Sequence, residues 1–163
     1  MTPATALLLR LELDDPAIFA ARLNAEPPGD WPPGEYDRDA IQFFLERTIA
    51  GGEGAVGWYG WYLLLDSDQR GLSLLVGSAG YLGPPDEAGR VEIGYSLCER
   101  WRGQGLAKEV VIALVESARQ RGARTVQAHA HPGNAASIAV LRACGFQPVP
   151  GQASELLSFA IAC

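Results

Sequence analysis

The feature that most constrains this chain is a strand, a glycine-containing turn and a helix that follow one another within residues 90–121. Residues 90–97 alternate between apolar and other side chains, which predicts a strand. Apolar residues recur every three or four positions over residues 106–121, which predicts an amphipathic helix. Gly103 and Gly105 in the turn let the backbone approach a ligand closely. The N–H groups at the helix start would bind an anion such as pyrophosphate, although a βα turn without a ligand is an equal alternative.

Two familiar phosphate-binding loops are excluded. The chain contains no GxxxxGK[ST] sequence, so it has no P-loop. It also contains no GxGxxG sequence, and the run of strands before the turn does not suit a Rossmann unit.

The other patterns predict an α/β (α+β) fold in a single domain, residues 1–163, with no internal boundary or repeat. Asp15 and Pro16 form a typical helix start, and Asn134 is the expected N-cap of the last helix. The predicted strands are residues 7–13, 57–66, 72–82, 90–97, 125–130, 146–149 and 155–161, with a polar turn at 66–71. The predicted helices are residues 16–23, 37–50, 106–121 and 135–144. Residues 24–36, rich in proline and glycine, form a loop around Trp31.

Composition excludes several classes of protein. The chain has 163 residues, 48% of them hydrophobic, and a net charge of −6, which argues against disorder and against a general nucleic-acid binder. Its three cysteines, Cys98, Cys144 and Cys163, are widely spaced and suggest neither a disulfide framework nor a metal site. No stretch resembles a signal peptide or a membrane span. We therefore expect a cytoplasmic protein that binds no metal, membrane or nucleic acid.

The turn and the helix after residue 134 resemble a known family. The sequence Arg102-Gly103-Gln104-Gly105-Leu106-Ala107 resembles the R/Q-x-x-G-x-G/A signature of the GNAT superfamily of N-acetyltransferases. Residues 91–97 are similar to the fourth strand of that family. Asn134, Ser137, Leu141 and Gly145-Phe146 resemble the N-x-x-S…L…GF ending of its RimJ/RimL-like subgroup. The resemblance covers residues 90–148 in detail and implies a GNAT fold, with a mixed, mostly antiparallel sheet of six to seven strands and about four helices.

The resemblance implies acetyl-CoA as cosubstrate. Backbone amides of the turn and helix start would cradle its pyrophosphate: Arg102, Gly103, Gln104, Gly105, Leu106 and Ala107. Backbone groups of Tyr95, Ser96 and Leu97 would bond to the pantetheine arm, where the family's strands splay apart. Asn134 would help to fix the thiol end. Arg100 and Arg102 would make this region locally positive in an acidic protein.

The resemblance also implies direct acetyl transfer to a primary amine. Glu92 stands where many relatives carry a glutamate base, and a solvent-facing strand carboxylate is an equal alternative. Ser137 matches the serine proposed as general acid in the subgroup, although helix capping explains it equally well. Many relatives carry a tyrosine acid where this chain has Leu141. The runner-up hypothesis is therefore a non-catalytic acyl-CoA-binding or regulatory module, and an unrelated nucleotide-phosphate binder is a remote third.

The acceptor is left open as a protein N-terminus or a small-molecule amine. The Trp31 loop lies where this family shapes the acceptor pocket, so Trp31, Glu92 and His131 are the predicted substrate-binding residues. His131 is also a second candidate base. His129 is expected at the site edge or the strand end. The protein is expected to be a monomer or a homodimer.

Overall fold

The computed structural model describes residues 1–66, 71–150 and 155–163. Its helices there are α1 (Ala6–Asp14), α2 (Pro16–Leu23), α3 (Arg38–Gly51), α4 (Leu106–Gln120) and α5 (Ala135–Ala143). Its strands are β1 (Thr2–Pro3), β2 (Ala25–Glu26), β3 (Gly60–Leu65), β4 (Ser73–Tyr81), β5 (Arg90–Leu97), β6 (Thr125–Ala130), β7 (Gln147–Pro148) and β8 (Leu157–Ala162). The predicted mixed, mostly antiparallel sheet flanked by helices is confirmed. Residues 67–70, most of the predicted turn at 66–71, lie outside the described residues.

The first predicted strand, residues 7–13, is wrong, because the structure has helix α1 there. The segment consists of strong helix formers, leucine, arginine and glutamate, whose short apolar run fits either period. The side chain of Thr5 caps this helix by accepting a hydrogen bond from the Leu8 N–H at 3.3 Å. Leu9 and Glu12, three positions apart, are buried on the same side. The chain therefore has three helices before its long strands, where two were predicted.

The starts of α2 and α3 follow the sequence signals. Asp15 caps α2 by accepting from the Ile18 N–H at 3.1 Å, and Pro16 is its first residue. Asp37 caps α3 by accepting from the N–H groups of Asp39 and Ala40. The Asp37 cap thus fixes where the Pro/Gly-rich segment between the two helices ends.

Contacts between residues divide the chain into two compact units. The first holds residues 1–80 and 95–102. In it, β3 lies between β1 and β4 and pairs antiparallel with both, as its two apolar faces predict. The two-residue β2 pairs parallel with β4. Helices α1 to α3 contribute to a core whose large buried residues include Leu9, Phe19, Ile41, Tyr62 and Leu75.

The second unit holds residues 81–94 and 103–163. Residues 90–93 of β5 pair parallel with residues 125–128 of β6. Strand β6 pairs antiparallel along its whole length with β8, which also pairs with β7. Helix α4 buries the stripe that its spacing predicted, including Val110, Val111 and Leu114. The Tyr81 hydroxyl donates to the Leu114 carbonyl at 2.6 Å.

All helices in the described part of the chain are too short or too polar to span a bilayer.

Candidate functional site

The turn before α4 has the geometry of an anion-binding helix start. Gly103 and Gly105 have φ of +74° and +86°, which other residues rarely adopt, and a Cβ on either would meet no atom within 4 Å. Gly105 is the N-cap and offers no capping side chain. Its carbonyl accepts from the Lys108 and Glu109 N–H groups. The N–H groups of Leu106 and Ala107 thus have no partner within the helix, and the helix dipole places positive potential there.

Backbone groups at the end of β5 and just after it, in the first unit, already form hydrogen bonds. The Arg102 Nε donates to the Leu97 carbonyl at 2.9 Å, which occupies one of the two lone pairs of that oxygen. The Cys98 N–H donates to the Val76 carbonyl at 3.0 Å. Arg102 is thereby held at one nitrogen, and its other N–H groups retain their donor capacity. The Arg100 guanidinium lies 5.4 Å from the ring centroid of Trp101.

Glu92 in β5 and His129 in β6 form a direct pair in the second unit. The distance between the Glu92 Oε1 and the His129 Nδ1 is 2.9 Å, and 39% and 24% of the two side chains are exposed. Register explains the pair, because Glu92 lies opposite Gln127 and His129 is two residues further along the same strand. Sequence reasoning missed it, although parallel pairing of the two predicted strands was the signal that could have indicated it.

The remaining polar candidates of the second unit cluster at the start of α5. The Asn134 Oδ1 accepts from the Ser137 N–H at 3.0 Å, so the predicted N-cap is confirmed. This bond uses the Asn134 carbonyl oxygen and leaves its amide group for other partners. His131 is exposed in the turn before the helix, and its Nδ1 accepts from the Gly133 N–H at 3.1 Å.

Trp31, in the first unit, is half-buried and bonded to a residue that the sequence did not single out. Its indole Nε1 donates to the Oε1 of Glu12 at 3.0 Å. The hydroxyls of Tyr36 and Tyr62 both donate to the Glu12 Oε2, at 2.9 and 2.7 Å. Burial raises the pKa of Glu12 to about 7, because loss of hydration outweighs these three hydrogen bonds. Burial also raises the pKa of Tyr36 and of Tyr62 above the ordinary phenol range.

The surroundings of the three cysteines do not favour a thiolate nucleophile. Cys98 is fully buried, and burial raises its pKa to about 11, so little thiolate exists near neutral pH. Burial also raises the pKa of Cys144 and of Cys163. Cys144, the residue after α5, is half-buried. Within residues 1–66, 71–150 and 155–163, no group of three or more His, Cys, Asp or Glu could hold a metal ion.

Comparisons with known proteins agree with this arrangement. A family model described as an acetyltransferase (GNAT) domain matches residues 6–147. The chain is 30% identical over 123 residues to the uncharacterized N-acetyltransferase YjdG of Bacillus subtilis (strain 168), a match that covers 69% of this chain and 70% of that protein.

Two solved structures are similar over most of their length. One is the ribosomal-protein-alanine N-acetyltransferase from Brucella melitensis, 26% identical, with a TM-score of 0.57 over 99% of this chain and 98% of the other. The second is a Bacillus subtilis acetyltransferase in complex with CoA, 15% identical, with a TM-score of 0.56 over 78% of this chain and 84% of the other.

Proposed function

We propose that this chain, which belongs to the acetyltransferase (GNAT) domain family, moves an acetyl group from acetyl-CoA to a primary amine as a single N-acetyltransferase domain. The observation that carries the proposal is the start of α4, with two positive-φ glycines, open space beside them and no capping side chain. A phosphate oxygen can approach such a backbone within hydrogen-bond distance. The fold neighbour solved with CoA supports the same cosubstrate.

The proposed cradle for the CoA phosphates is formed by residues 102–107. The N–H groups of Leu106 and Ala107 would donate to the pyrophosphate, and the guanidinium of Arg102 would offset its charge. Tyr95, Ser96 and Leu97 would bond to the pantetheine arm through backbone groups. The parallel ladder of β5 with β6 covers residues 90–93 and 125–128.

The proposed chemistry needs a base, an acid and a neutral acceptor amine. Acetyl-CoA would supply an activated thioester. Glu92, held by His129, would take a proton from the acceptor ammonium, directly or through water. The amine nitrogen would then form a bond to the thioester carbon and release its second proton to solvent, and the carbon–sulfur bond would break with its electron pair on the thiolate. Ser137 or solvent would return a proton to that sulfur.

The acceptor is the finer part of the proposal. We favour a protein N-terminus, as in the RimJ/RimL-like subgroup, because one neighbour that spans nearly all of this chain, at 26% identity, is a ribosomal-protein-alanine N-acetyltransferase. A small amine such as a polyamine is the alternative. Trp31 and His131 are proposed to line the acceptor side. We also propose that the protein is cytoplasmic and acts as a monomer or a homodimer. We propose further that it works without metals, nucleic acids or membranes.

One observation favours a second candidate, an acyl-CoA-binding module without turnover. Leu141, where many relatives carry the tyrosine acid, is completely buried. A leucine side chain has no proton to donate to the thiolate. If neither Ser137 nor water can protonate the thiolate, the protein binds acyl-CoA and releases it unchanged.

Two measurements test the proposal and separate these candidates. Isothermal titration should detect binding of acetyl-CoA, and failure to bind any acyl-CoA would reject both. A thiol-release assay should then show turnover with an alanine-initiated hexapeptide or with spermidine. Because the protein has three thiols of its own, a reaction without acceptor gives the baseline. Binding with no turnover on a wider panel of peptides and amines would favour the non-catalytic module.

A further inference from the structure

The buried carboxylate of Glu12 is bonded mainly to one loop. Of its three donors, Trp31 and Tyr36 lie in residues 30–36, which we call the 30–36 loop, and Tyr62 lies on β3. The loop contains neither helix nor strand. The backbone N–H groups of Trp31 and Tyr36 form only local hydrogen bonds, to the carbonyls of Pro28 and Pro33. Side-chain bonds must therefore fix much of its position.

The same loop contacts the end of β5 and the residues after it, all within the first unit. The Asp30 Oδ2 accepts from the Glu99 N–H at 2.7 Å. The backbone at Gly34 lies so close to Ser96 that a Cβ would stand 2.7 Å from the Ser96 Oγ. Thus the loop is bonded to Glu12 on one side and lies against Ser96 and Glu99 on the other.

Stability alone does not account for a carboxylate at this position. Glu12 is 8% exposed, and the only other buried polar residues among those described are Thr48 and Ser78. Burying an acid costs free energy even when it is hydrogen-bonded, whereas an apolar side chain of the same volume would not incur this cost. The carboxylate adds a defined geometry, because its two oxygens accept hydrogen bonds from two side chains of the loop, Trp31 and Tyr36, at the same time.

We propose that Glu12 is a positioning residue, which holds the 30–36 loop against Ser96 and Glu99 through Trp31 and Tyr36, and that the loop in this position sets the affinity for the acceptor amine. This inference rests on the proposed function. Ser96 belongs to the backbone stretch assigned to the pantetheine arm, so the loop borders the path of the acyl group. The affinity for acetyl-CoA itself should not change, because no residue of the 30–36 loop is assigned to the cofactor.

The structure offers a matched pair of variants. Tyr36→Phe and Tyr62→Phe each remove one phenol hydroxyl that donates to the same oxygen of Glu12, but only Tyr36 lies in the loop. We expect Tyr36→Phe to raise KM for the acceptor (the alanine-initiated hexapeptide or spermidine) at least fivefold, with kcat and the Kd of acetyl-CoA within twofold. Tyr62→Phe should leave all three constants within twofold. An equal rise of KM in both variants would overturn the inference.

Rescue by the conservative variant gives a second readout. In Glu12→Gln the amide oxygen can accept from Trp31, and the NH₂ group can donate to the two phenol oxygens. Acceptor KM should therefore stay within twofold in Glu12→Gln and rise at least fivefold in Glu12→Ala. A rise in Glu12→Gln as large as that in Glu12→Ala would contradict positioning through these bonds.

Hydrogen exchange separates failure of this inference from failure of the proposed function. It needs no acceptor and is read at the Trp31 and Tyr36 amides, which donate to the carbonyls of Pro28 and Pro33. Tyr36→Phe should speed their exchange at least tenfold, and Tyr62→Phe should not. Equal exchange in the two variants shows that Glu12 does not hold the loop, whether or not the wild type binds acetyl-CoA. Faster exchange in Tyr36→Phe with unchanged acceptor KM overturns the role in acceptor affinity.

Discussion

Two glutamates of this protein have opposite surroundings. Glu12, in the first unit, is buried and accepts three hydrogen bonds from aromatic side chains. Glu92, in the second unit, is more than a third exposed and is bonded to the imidazole of His129. The first is suited to fix neighbouring groups, whereas the second, the proposed base, is accessible to solvent. Burial alone therefore does not identify the carboxylate that we propose as the base.

The largest expected effect concerns Glu92. Glu92→Gln keeps the shape of the side chain but removes the base, so kcat should fall about 10²–10⁴-fold. The measurement is thiol release at saturating acetyl-CoA, with circular dichroism as the control for folding. If Glu92→Gln kept full turnover and an unchanged pH profile, Glu92 would be a solvent-facing strand residue, and the contrast with Glu12 would fail.

The raised pKa of Glu12 should make the free energy of unfolding depend on pH. Its pKa is raised from an ordinary value of 4.5 to about 7, so the folded state binds this proton more tightly. The stabilisation by that proton is complete below pH 4.5 and is lost as the pH rises to about 7, a change of about 3 kcal/mol. As the pH rises, the free energy of unfolding of Glu12→Gln should increase by that amount relative to that of the wild type, most of it between pH 5 and pH 8. Urea unfolding of both proteins at each pH measures it, and a constant difference would refute the raised pKa.

Variants of His129 test whether Glu92 depends on its hydrogen-bond partner. His129→Gln retains a hydrogen-bonding group beside the carboxylate but changes its orientation, so kcat should fall about tenfold. The double variant with Glu92→Gln should be no slower than Glu92→Gln alone, because the two residues act as a unit. Additive losses in steady-state kinetics would mean that His129 acts independently of Glu92.

The smallest effect contrasts Glu12 with a buried polar group that lacks a partner. The Thr48 hydroxyl on α3 is buried, and among the described residues it has no hydrogen-bond partner. Thr48→Val should raise the free energy of unfolding by about 1 kcal/mol, since it removes an unsatisfied group. Ser78→Ala is the control and should lower it, because Ser78 is hydrogen-bonded to Tyr36. Denaturant melts that showed a loss in both variants would contradict the assignment.

The sequence predicted the strands and helices with the clearest periodicity. The bounds of β5 and β6 were correct to the residue, and α4 ended one residue early, because alternation and a wide apolar stripe are local signals. Residues 7–13 were assigned to a strand because seven residues of mixed pattern fit either period. The two-residue strands β1 and β2 carry no periodic signal at all.

The candidate site was predictable only where a motif identified it. The glycine turn was visible because positive φ selects glycine, and Asn134 was visible as a helix cap. Glu12 was not, since a glutamate is rarely buried and its three donors are 19 to 50 residues away in sequence. The Glu92–His129 pair depends on the register between two strands, which no single-strand pattern contains.

The most direct test of the account is titration of acetyl-CoA into the wild type and two glycine variants. Gly105 and Gly122 lie near opposite ends of α4, with φ of +86° and +89° and open space at each Cβ position. Gly105→Glu would place a side chain and a negative charge in the anion site, whereas Gly122→Glu would impose similar backbone strain far from it. We expect the wild type and Gly122→Glu to bind acetyl-CoA and Gly105→Glu not to bind it. Binding by Gly105→Glu equal to that of the wild type, or no binding by the wild type, would contradict it.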